Sequence, residues 1–216
     1  MIQLKQITKK YDNNTIALNN VSLEINKGEM IAVMGASGSG KSTLLNILGC
    51  MDNATSGEYI YGDTNIEKLS NSKLHNFRRD HISFVFQNFA LLDDYTAYEN
   101  VEIPLIAKGV QKRKRKVIIN DMLERLGVGE LSKKLPTKMS GGQQQRIALA
   151  RAFASGNELI LADEPTGALD KNTGISLMNT LCEFNKNGKT IVIVTHDQNV
   201  ANFCSRIIYL EDGKIV

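Results

Sequence analysis

Eight consecutive residues, Gly35-Ala36-Ser37-Gly38-Ser39-Gly40-Lys41-Ser42, fit the pattern G-x-x-x-x-G-K-[ST] at every defined position. Glycines let a backbone wrap closely around a phosphate, and a helix N-terminus behind them adds unsatisfied N–H groups and a favourable dipole. A lysine at the position of Lys41 neutralises the outer phosphates, and a hydroxyl at Ser42 is a ligand for Mg2+. Two further carboxylates come together in LILADEP, residues 159–165, where an apolar run delivers Asp163 and Glu164 in succession. Asp163 is suited to hold Mg2+ through its water shell. Glu164 is suited to orient and deprotonate a water attacking the terminal phosphate. His196 ends another apolar run in the same way. A lone histidine there would serve equally well as a satisfied core residue, but the phosphate loop upstream favours a functional role.

These groups need rigid elements behind them. The loop follows the apolar run MIAVM (30–34) and opens an apolar-faced helix through TLLNILGC, the strand-then-helix frame that a phosphate loop requires. Residues 1–34 read as several short strands, with alternating stretches IQLKQI and VSLEI before the buried MIAVM. Residues 57–66 and 82–86 also read as strands, whereas 112–127 and 140–155 carry helical periodicity. ELILADE (158–164) and TIVIVTHD (190–197) are two more buried strands. Strands with little alternation, separated by helices, indicate a mostly parallel sheet covered on both faces. Residues 88–157 contain no comparable strand and read as a helical insertion. The expected fold is therefore α/β: a nucleotide-loop core with a mostly parallel sheet, an antiparallel β subdomain and an inserted helical subdomain. The expected organisation is one domain, with 1–87 and 158–216 as its core and 88–157 as the helical part.

Composition narrows the class further. A chain of 216 residues with 42% hydrophobic residues buries a sizeable core. Lys and Arg number 26 against 23 Asp and Glu, a net charge of +3 that gives no reason to expect a nucleic-acid partner. Cys50, Cys182 and Cys204 are widely spaced in apolar contexts without a CxxC pair, which reads as reduced core thiols of a cytosolic protein. The N-terminus, MIQLKQITKKY, has neither the pattern of a signal peptide nor that of a membrane anchor, and the longest apolar runs are strand-length. Any membrane role is expected to run through a partner. The basic run QKRKRK (111–116) reads as solvated first turns of a helix rather than a lipid site. The strand IIYLEDG ends close to Val216, so no C-terminal regulatory domain is expected.

Taken in order, these motifs resemble those of an ABC-transporter ATPase subunit, and the resemblance runs from Tyr11 to Gly213. Tyr11 resembles the aromatic that stacks on adenine. Gln87, after ISFVF, resembles the glutamine that contacts Mg2+ and the lytic water and links the core to the helical subdomain. Met139-Ser140-Gly141-Gly142-Gln143 resembles the signature LSGGQ, with Met139 conserving apolar volume. Gly167-Ala168-Leu169-Asp170 resembles the D-loop, and His196 the switch histidine. The resemblance implies that Gly35, Ser37, Gly38, Ser39, Gly40, Lys41, Ser42 and Thr43 bind ATP with Tyr11. It implies that Ser42, Gln87 and Asp163 serve Mg2+, and that Glu164, His196 and Gln87 serve hydrolysis.

The signature poses a separate question, because the chain already has a phosphate loop. Ser140 is a good N-cap for the helix through QQQRIALARAFA, and Gly141 and Gly142 leave amides open beside it, so MSGGQ has the makings of a second anion-binding terminus. From the residues alone, an ordinary helix cap explains Ser-Gly-Gly as well. The resemblance implies that Ser140, Gly141, Gly142, Gln143 and Asp170 complete the site of a second copy, in an ATP-dependent homodimer.

Within this superfamily, DNA-repair and chromosome-structure ATPases carry long heptad segments between loop and signature, and translation factors carry two cassettes in a chain. This chain has neither feature. Residues 91–105, LLDDYTAYENVEIPL, and PTGALD resemble the group that includes lipoprotein-release, macrolide and antimicrobial-peptide export. That likeness implies a transmembrane permease as partner, a peripheral location on the cytoplasmic face of the membrane, and export or release as the work done. A mechanotransmitting ATPase of a cell-division or cell-envelope complex is the alternative. The transported substrate is not legible, since such a subunit contacts the permease and not the cargo.

Overall fold

The computed structural model describes residues 1–12 and 15–216. In chain order the elements are β1 (Ile2–Lys10), β2 (Ile16–Ile25), β3 (Met30–Met34), α1 (Lys41–Leu48), β4 (Ser56–Tyr61), β5 (Thr64–Asn65), α2 (Asn71–His81) and β6 (Ile82–Val85). There follow α3 (Ala97–Ala107), α4 (Lys112–Arg125), α5 (Gly141–Ala154), β7 (Leu159–Asp163), α6 (Lys171–Lys186), β8 (Thr190–Val194), α7 (Gln198–Ala201), β9 (Arg206–Glu211) and β10 (Lys214–Ile215).

The strands form two sheets. One is antiparallel, in the order β2-β1-β4-β5, and the other runs β10-β9-β3-β8-β7-β6. In the second sheet β9, β3, β8, β7 and β6 are parallel, and β10 adds an antiparallel edge. The expected α/β fold, with its mostly parallel sheet, antiparallel β layer and helices, is the one observed.

The central strands lack hydrophobic alternation because both of their faces are covered. In β8, Val192 and Val194 point into a core shared with α1 and the antiparallel sheet, while Ile191 and Ile193 point into a core shared with α3 to α6. Helix α1 is held between the two sheets by Leu44, Leu45, Ile47 and Leu48, all buried. Its position is thus fixed from both sides, and with it the loop that precedes it.

Helices α3 and α4 pack on α5, and α5 also packs on β6. The basic run lies on α4 and is exposed except for Arg115, whose Nε donates to Glu102 at 2.7 Å. Helix α3 begins at a capping box in which the Thr96 hydroxyl accepts from Glu99 N–H and Glu99 accepts from Thr96 N–H. One turn later the fully buried Asn100 donates to the carbonyls of Leu92, Tyr95 and Thr96 and accepts from Leu92 N–H, fixing the segment that leads into the helix.

The thiols need one correction. Cys50 is buried, but Cys182 and Cys204 are half-buried at the edge of the core rather than within it. Burial pushes the Cys50 and Cys204 thiols up to about 12, which keeps them protonated at neutral pH.

Candidate functional site

Strand order explains how residues far apart in sequence meet. Strand β3 runs into the glycine-rich loop, β8 lies beside it, then β7, then β6. The residues that follow these strands at the same end of the sheet are Gly35 to Lys41, His196, Asp163 with Glu164, and Gln87. Parallel sheets bind ligands at this carboxyl end, where connections leave toward opposite faces. A cleft of about 510 Å³ opens there, lined by Gly35, Ser37, Gly38, Gly40, Lys41, Ser42 and Thr43 from the loop. Gln87, Asp163, Glu164, His196 and Tyr11 complete it.

The loop itself has no room for larger residues. Gly40 has φ 103°, and a β-carbon there would meet the Ala17 carbonyl at 2.3 Å; one on Gly35 would meet the Leu210 carbonyl at 2.1 Å. Gly40 is also the N-cap of α1 and supplies no side-chain cap. This sets α1 apart from α3, α5 and α6, whose first turns are closed by Thr96, Ser140 and Asp170. The α1 terminus therefore keeps its amides and positive dipole end for an anion. Lys41 folds back across the loop, its Nζ donating to the carbonyls of Gly35 at 2.9 Å and Ala36 at 2.6 Å. Ser39 is placed differently from the other loop residues. Its side chain is buried beneath the loop with the hydroxyl unpartnered, and its N–H donates to Ala36 O at 3.2 Å.

Opposite the loop, Glu164 takes φ 43°, a left-handed conformation that a non-glycine residue adopts at a cost. Neighbouring groups over-determine it. Its N–H donates to Val194 O at 2.9 Å; Oε2 accepts from Thr195 Oγ1 at 3.1 Å; Oε1 accepts from His196 N–H at 3.0 Å and lies 2.7 Å from His196 Nδ1. With Nδ1 donating to Glu164, the His196 Nε2 is the nitrogen left for a ligand. Beside it, burial first and the Glu164 carboxylate second push the Asp163 carboxyl above its usual range, with Lys41 working against them. A cation arriving at Asp163 would favour its ionised form and so work against both causes. The Ser42 hydroxyl, the Gln87 amide and Asp163 offer oxygen donors only, the set that suits a hard ion such as Mg2+.

Tyr11 stands at the rim, 41% exposed. Lys9 Nζ lies 5.0 Å over its ring, and its hydroxyl is 3.3 Å from Asp52 Oδ2 and 3.4 Å from Thr43 Oγ1. Burial works to raise the Asp52 pKa, but the hydrogen bond and charge of Lys9, with hydrogen bonds from Asn53 N–H and the Tyr11 hydroxyl, together hold the carboxyl below its usual range. The Lys9–Asp52 ion pair thus holds the ring at the edge of the cleft, where an aromatic side chain suits a flat ligand. Thr15, Ile16, Ala17 and Val194 also line the cleft. Their types carry no chemical signal in sequence; only the strand pairing brings them there.

Five of the anticipated residues lie elsewhere: Ser140, Gly141, Gly142, Gln143 and Asp170 do not line this cleft. Ser140 and Gln143 form a capping box at the start of α5, each side chain accepting from the other's N–H at 3.3 and 2.9 Å. The N–H groups of Gly141 and Gly142 remain between them. A β-carbon on Gly141 would stand 3.7 Å from Ala168 O, and one on Gly142 would stand 3.2 Å from Thr173 Cγ2, so this terminus adjoins the turn ending at Asp170. Asp170 caps α6, its carboxylate accepting from the N–H groups of Asn172 and Thr173 and from the Thr173 hydroxyl. The chain therefore presents a cleft at its glycine-rich loop and, apart from it, a second helix terminus at which the Gly141 and Gly142 N–H groups have no hydrogen-bond partner among the described residues.

A profile of the ABC transporter family matches residues 18–167. The macrolide export ATP-binding/permease protein MacB of Vibrio parahaemolyticus is 45% identical over 219 residues, covering all of this chain and 34% of MacB. The Escherichia coli MacB is 44% identical over the same span, and the probable syringafactin export protein SyfD of Pseudomonas syringae 45%. The chain thus spans about a third of the length of these curated relatives. Among solved structures, the ATP-binding cassette MJ0796, described as a post-hydrolysis dimer bound to ADP and Pi, superposes with a TM-score of 0.93 at 46% identity, covering all of this chain and 96% of that one. A dimeric structure of the same cassette gives 0.93 at 47% identity. With its phosphate loop, paired carboxylates and signature helix in the arrangement described, this chain belongs to the ABC transporter family, as an ATP-binding domain of that family.

Proposed function

We propose that this chain hydrolyses ATP between two copies of itself and passes the resulting motion to a transmembrane permease for export. The observation that carries the reading is a separation: the cleft is lined by the loop, the carboxylate pair, Gln87 and His196, whereas the Ser140–Gln143 helix terminus does not line it and opens beside α6. Head-to-tail pairing supplies each cleft with the Ser140–Gln143 terminus of the other copy. The relatives named as export proteins and the dimeric cassettes support this arrangement.

Within one site, the bare amides of the loop and Lys41 hold the phosphates, and Tyr11 holds the base. Glu164 accepts the proton of the attacking water, because its carboxylate is fixed by Thr195 and His196 at the edge of the cleft. His196 orients that carboxylate through Nδ1 and turns Nε2 toward the terminal phosphate. Mg2+ bound at Ser42, Gln87 and Asp163 would supply charge neutralisation at the outer phosphates. Residues 88–157 act in this reading as the unit that carries the signature, and 1–87 with 158–216 as the unit that carries the cleft.

Among the described residues no helix is long and apolar enough to cross a membrane. The relatives are named as combining an ATP-binding part with a permease part, and on that likeness we assign membrane contact to the permease and this chain to its cytoplasmic face. Export is preferred over mechanical work without transport because the similar proteins named above are exporters.

Light scattering of Glu164→Gln tests the reading. That variant keeps the phosphate contacts and loses the proton acceptor, so turnover falls about 100-fold or more and ATP converts monomers to dimers. Ser140→Arg in the same chain places a bulky side chain at the lid and abolishes the shift. Hydrolysis by Glu164→Gln at the wild-type rate would reject Glu164 as the base, and an ATP-induced dimer that survives Ser140→Arg would reject the shared site.

A further inference from the structure

Between β6 and α3 the chain passes through Gln87-Asn88-Phe89-Ala90, and this segment is held in an unusual way. Phe89 and Ala90 take φ 62° and 46°, two successive non-glycine residues in the left-handed region. Such a conformation persists only where something outside the segment holds it. The holder is Arg151, from the last turn of α5. Its Nη1 donates to Ala90 O at 2.5 Å and its Nη2 to Phe89 O at 2.8 Å. Burial lowers the guanidinium's pKa, yet an arginine stays charged throughout the physiological range, so two charge-assisted bonds clamp the two strained carbonyls.

The same segment touches the other end of α5. The Phe89 ring stands 3.7 Å from where a β-carbon would sit on Gly141, the first residue of the helix. A β-carbon on Gly167 would lie 3.7 Å from Gln87 Nε2 and 3.6 Å from Glu164 Cβ, so Gln87 reaches the edge of the carboxylate pair. One helix therefore carries the Ser140 terminus at its start and a fork that fixes the Gln87 segment near its end.

We infer that Arg151 is a positioning residue for Gln87, clamping the Phe89 and Ala90 carbonyls so that α5 sets where the Gln87 amide stands relative to Asp163 and Glu164. The inference rests on the proposed role of Gln87 in hydrolysis. Its consequence is that the helix bearing the lid cannot shift without moving a group of its own chain's cleft. A planar fork is needed because a single ammonium reaches one carbonyl and leaves the other unheld.

The test is a mutant cycle on the 216-residue chain, read by steady-state hydrolysis and amide exchange. Arg151→Met keeps the apolar stem and removes the fork; kcat is expected to fall about 10-fold with KM for ATP within about 2-fold, since the loop and Tyr11 are untouched. Arg151→Lys should recover part of the loss. Amides of 88–92 should exchange faster in Arg151→Met while those of β7 and β8 keep their protection. In a Gln87→Ala background, Arg151→Met should cost nothing further, because its effect passes through Gln87. An additive loss in that background, or kcat unchanged in Arg151→Met, overturns the inference while leaving the function intact. Wild-type kcat in Gln87→Ala alone overturns both it and the role given to Gln87. Should Arg151→Met not fold, Arg151→Lys and Arg151→Gln carry the same cycle.

Discussion

Lys41 and Asp163 show how a single side chain can be held in readiness for a ligand. Lys41 rests on two carbonyls of its own loop, a partner set that a phosphate can replace without moving the backbone. Lys41→Ala removes the cation and leaves the amide cradle, so ATP affinity is expected to fall about 10-fold or more, measured by titration calorimetry. Unchanged affinity would remove Lys41 from the phosphate site. Asp163 predicts a pH effect of definite sign. Its carboxyl is raised in the folded chain above the ordinary 3.8, so folding disfavours its ionised form. That penalty is absent below the ordinary value, grows as pH rises past it, and is complete once pH exceeds the raised one. Without nucleotide or divalent cation, Asp163→Asn should therefore melt a few degrees above the wild type at neutral pH, with the gap closing at acidic pH. In the presence of ATP and Mg2+ the same variant should lose hydrolysis. A variant less stable than wild type at neutral pH would contradict the assignment of burial as the dominant cause. Asp163 was legible in sequence because it ends an apolar run, where a charge has no structural reason to be, and Lys41 because it closes a complete glycine-rich loop pattern.

At the scale of elements, the buried strands and the helices 112–127 and 140–155 could be read from apolar runs and period. The groups that tie them together could not. Arg151 meets carbonyls 61 and 62 positions away, and Asn157 donates to Ile82 O and Arg79 O across 75 and 78 positions; nothing in local pattern marks either residue. Asn100 sits in a segment that reads simply as a loop and a capped helix, yet it satisfies four backbone groups around the start of α3. Asn100→Ala would leave Leu92 N–H and Tyr95 O without the amide that pairs them, while the Leu92 and Thr96 carbonyls keep the N–H groups of Tyr95 and Asn100. The expected loss is about 2 kcal/mol of unfolding free energy, seen as a lower urea midpoint with an unchanged slope. A loss below about 0.5 kcal/mol would mean that water replaces the amide and that the segment is less tightly fixed than its hydrogen bonds suggest. Signature residues Ser140 and Gln143 illustrate the opposite limit. Their capping box is local and legible, but its meaning depends on a partner that local structure does not include.

For the molecule as a whole, the decisive fact is which groups the fold brings together and which it keeps apart. Sheet order β3-β8-β7-β6 lines up the loop, His196, the carboxylate pair and Gln87 in one cleft, while the α5 terminus opens beside Asp170 and the cap of α6. A cleft finished by its own chain would hydrolyse ATP at a rate proportional to chain concentration. A cleft finished by a second copy obeys a different law: while most chains are monomeric, the amount of dimer grows as the square of the total, so doubling the chain should raise the rate about fourfold. Specific activity should therefore climb with concentration and level off once dimers predominate, at saturating ATP and Mg2+ throughout. Adding Ser140→Arg chains to a dilute wild-type sample sharpens the measurement. Each such chain keeps an intact cleft that a wild-type terminus can cover, so the mixture should hydrolyse more ATP than the wild-type chains alone at the same concentration, although Ser140→Arg by itself is inactive. Strict proportionality to concentration, together with no gain on mixing, would place the whole reaction inside one chain and leave the α5 terminus with only its helix to cap.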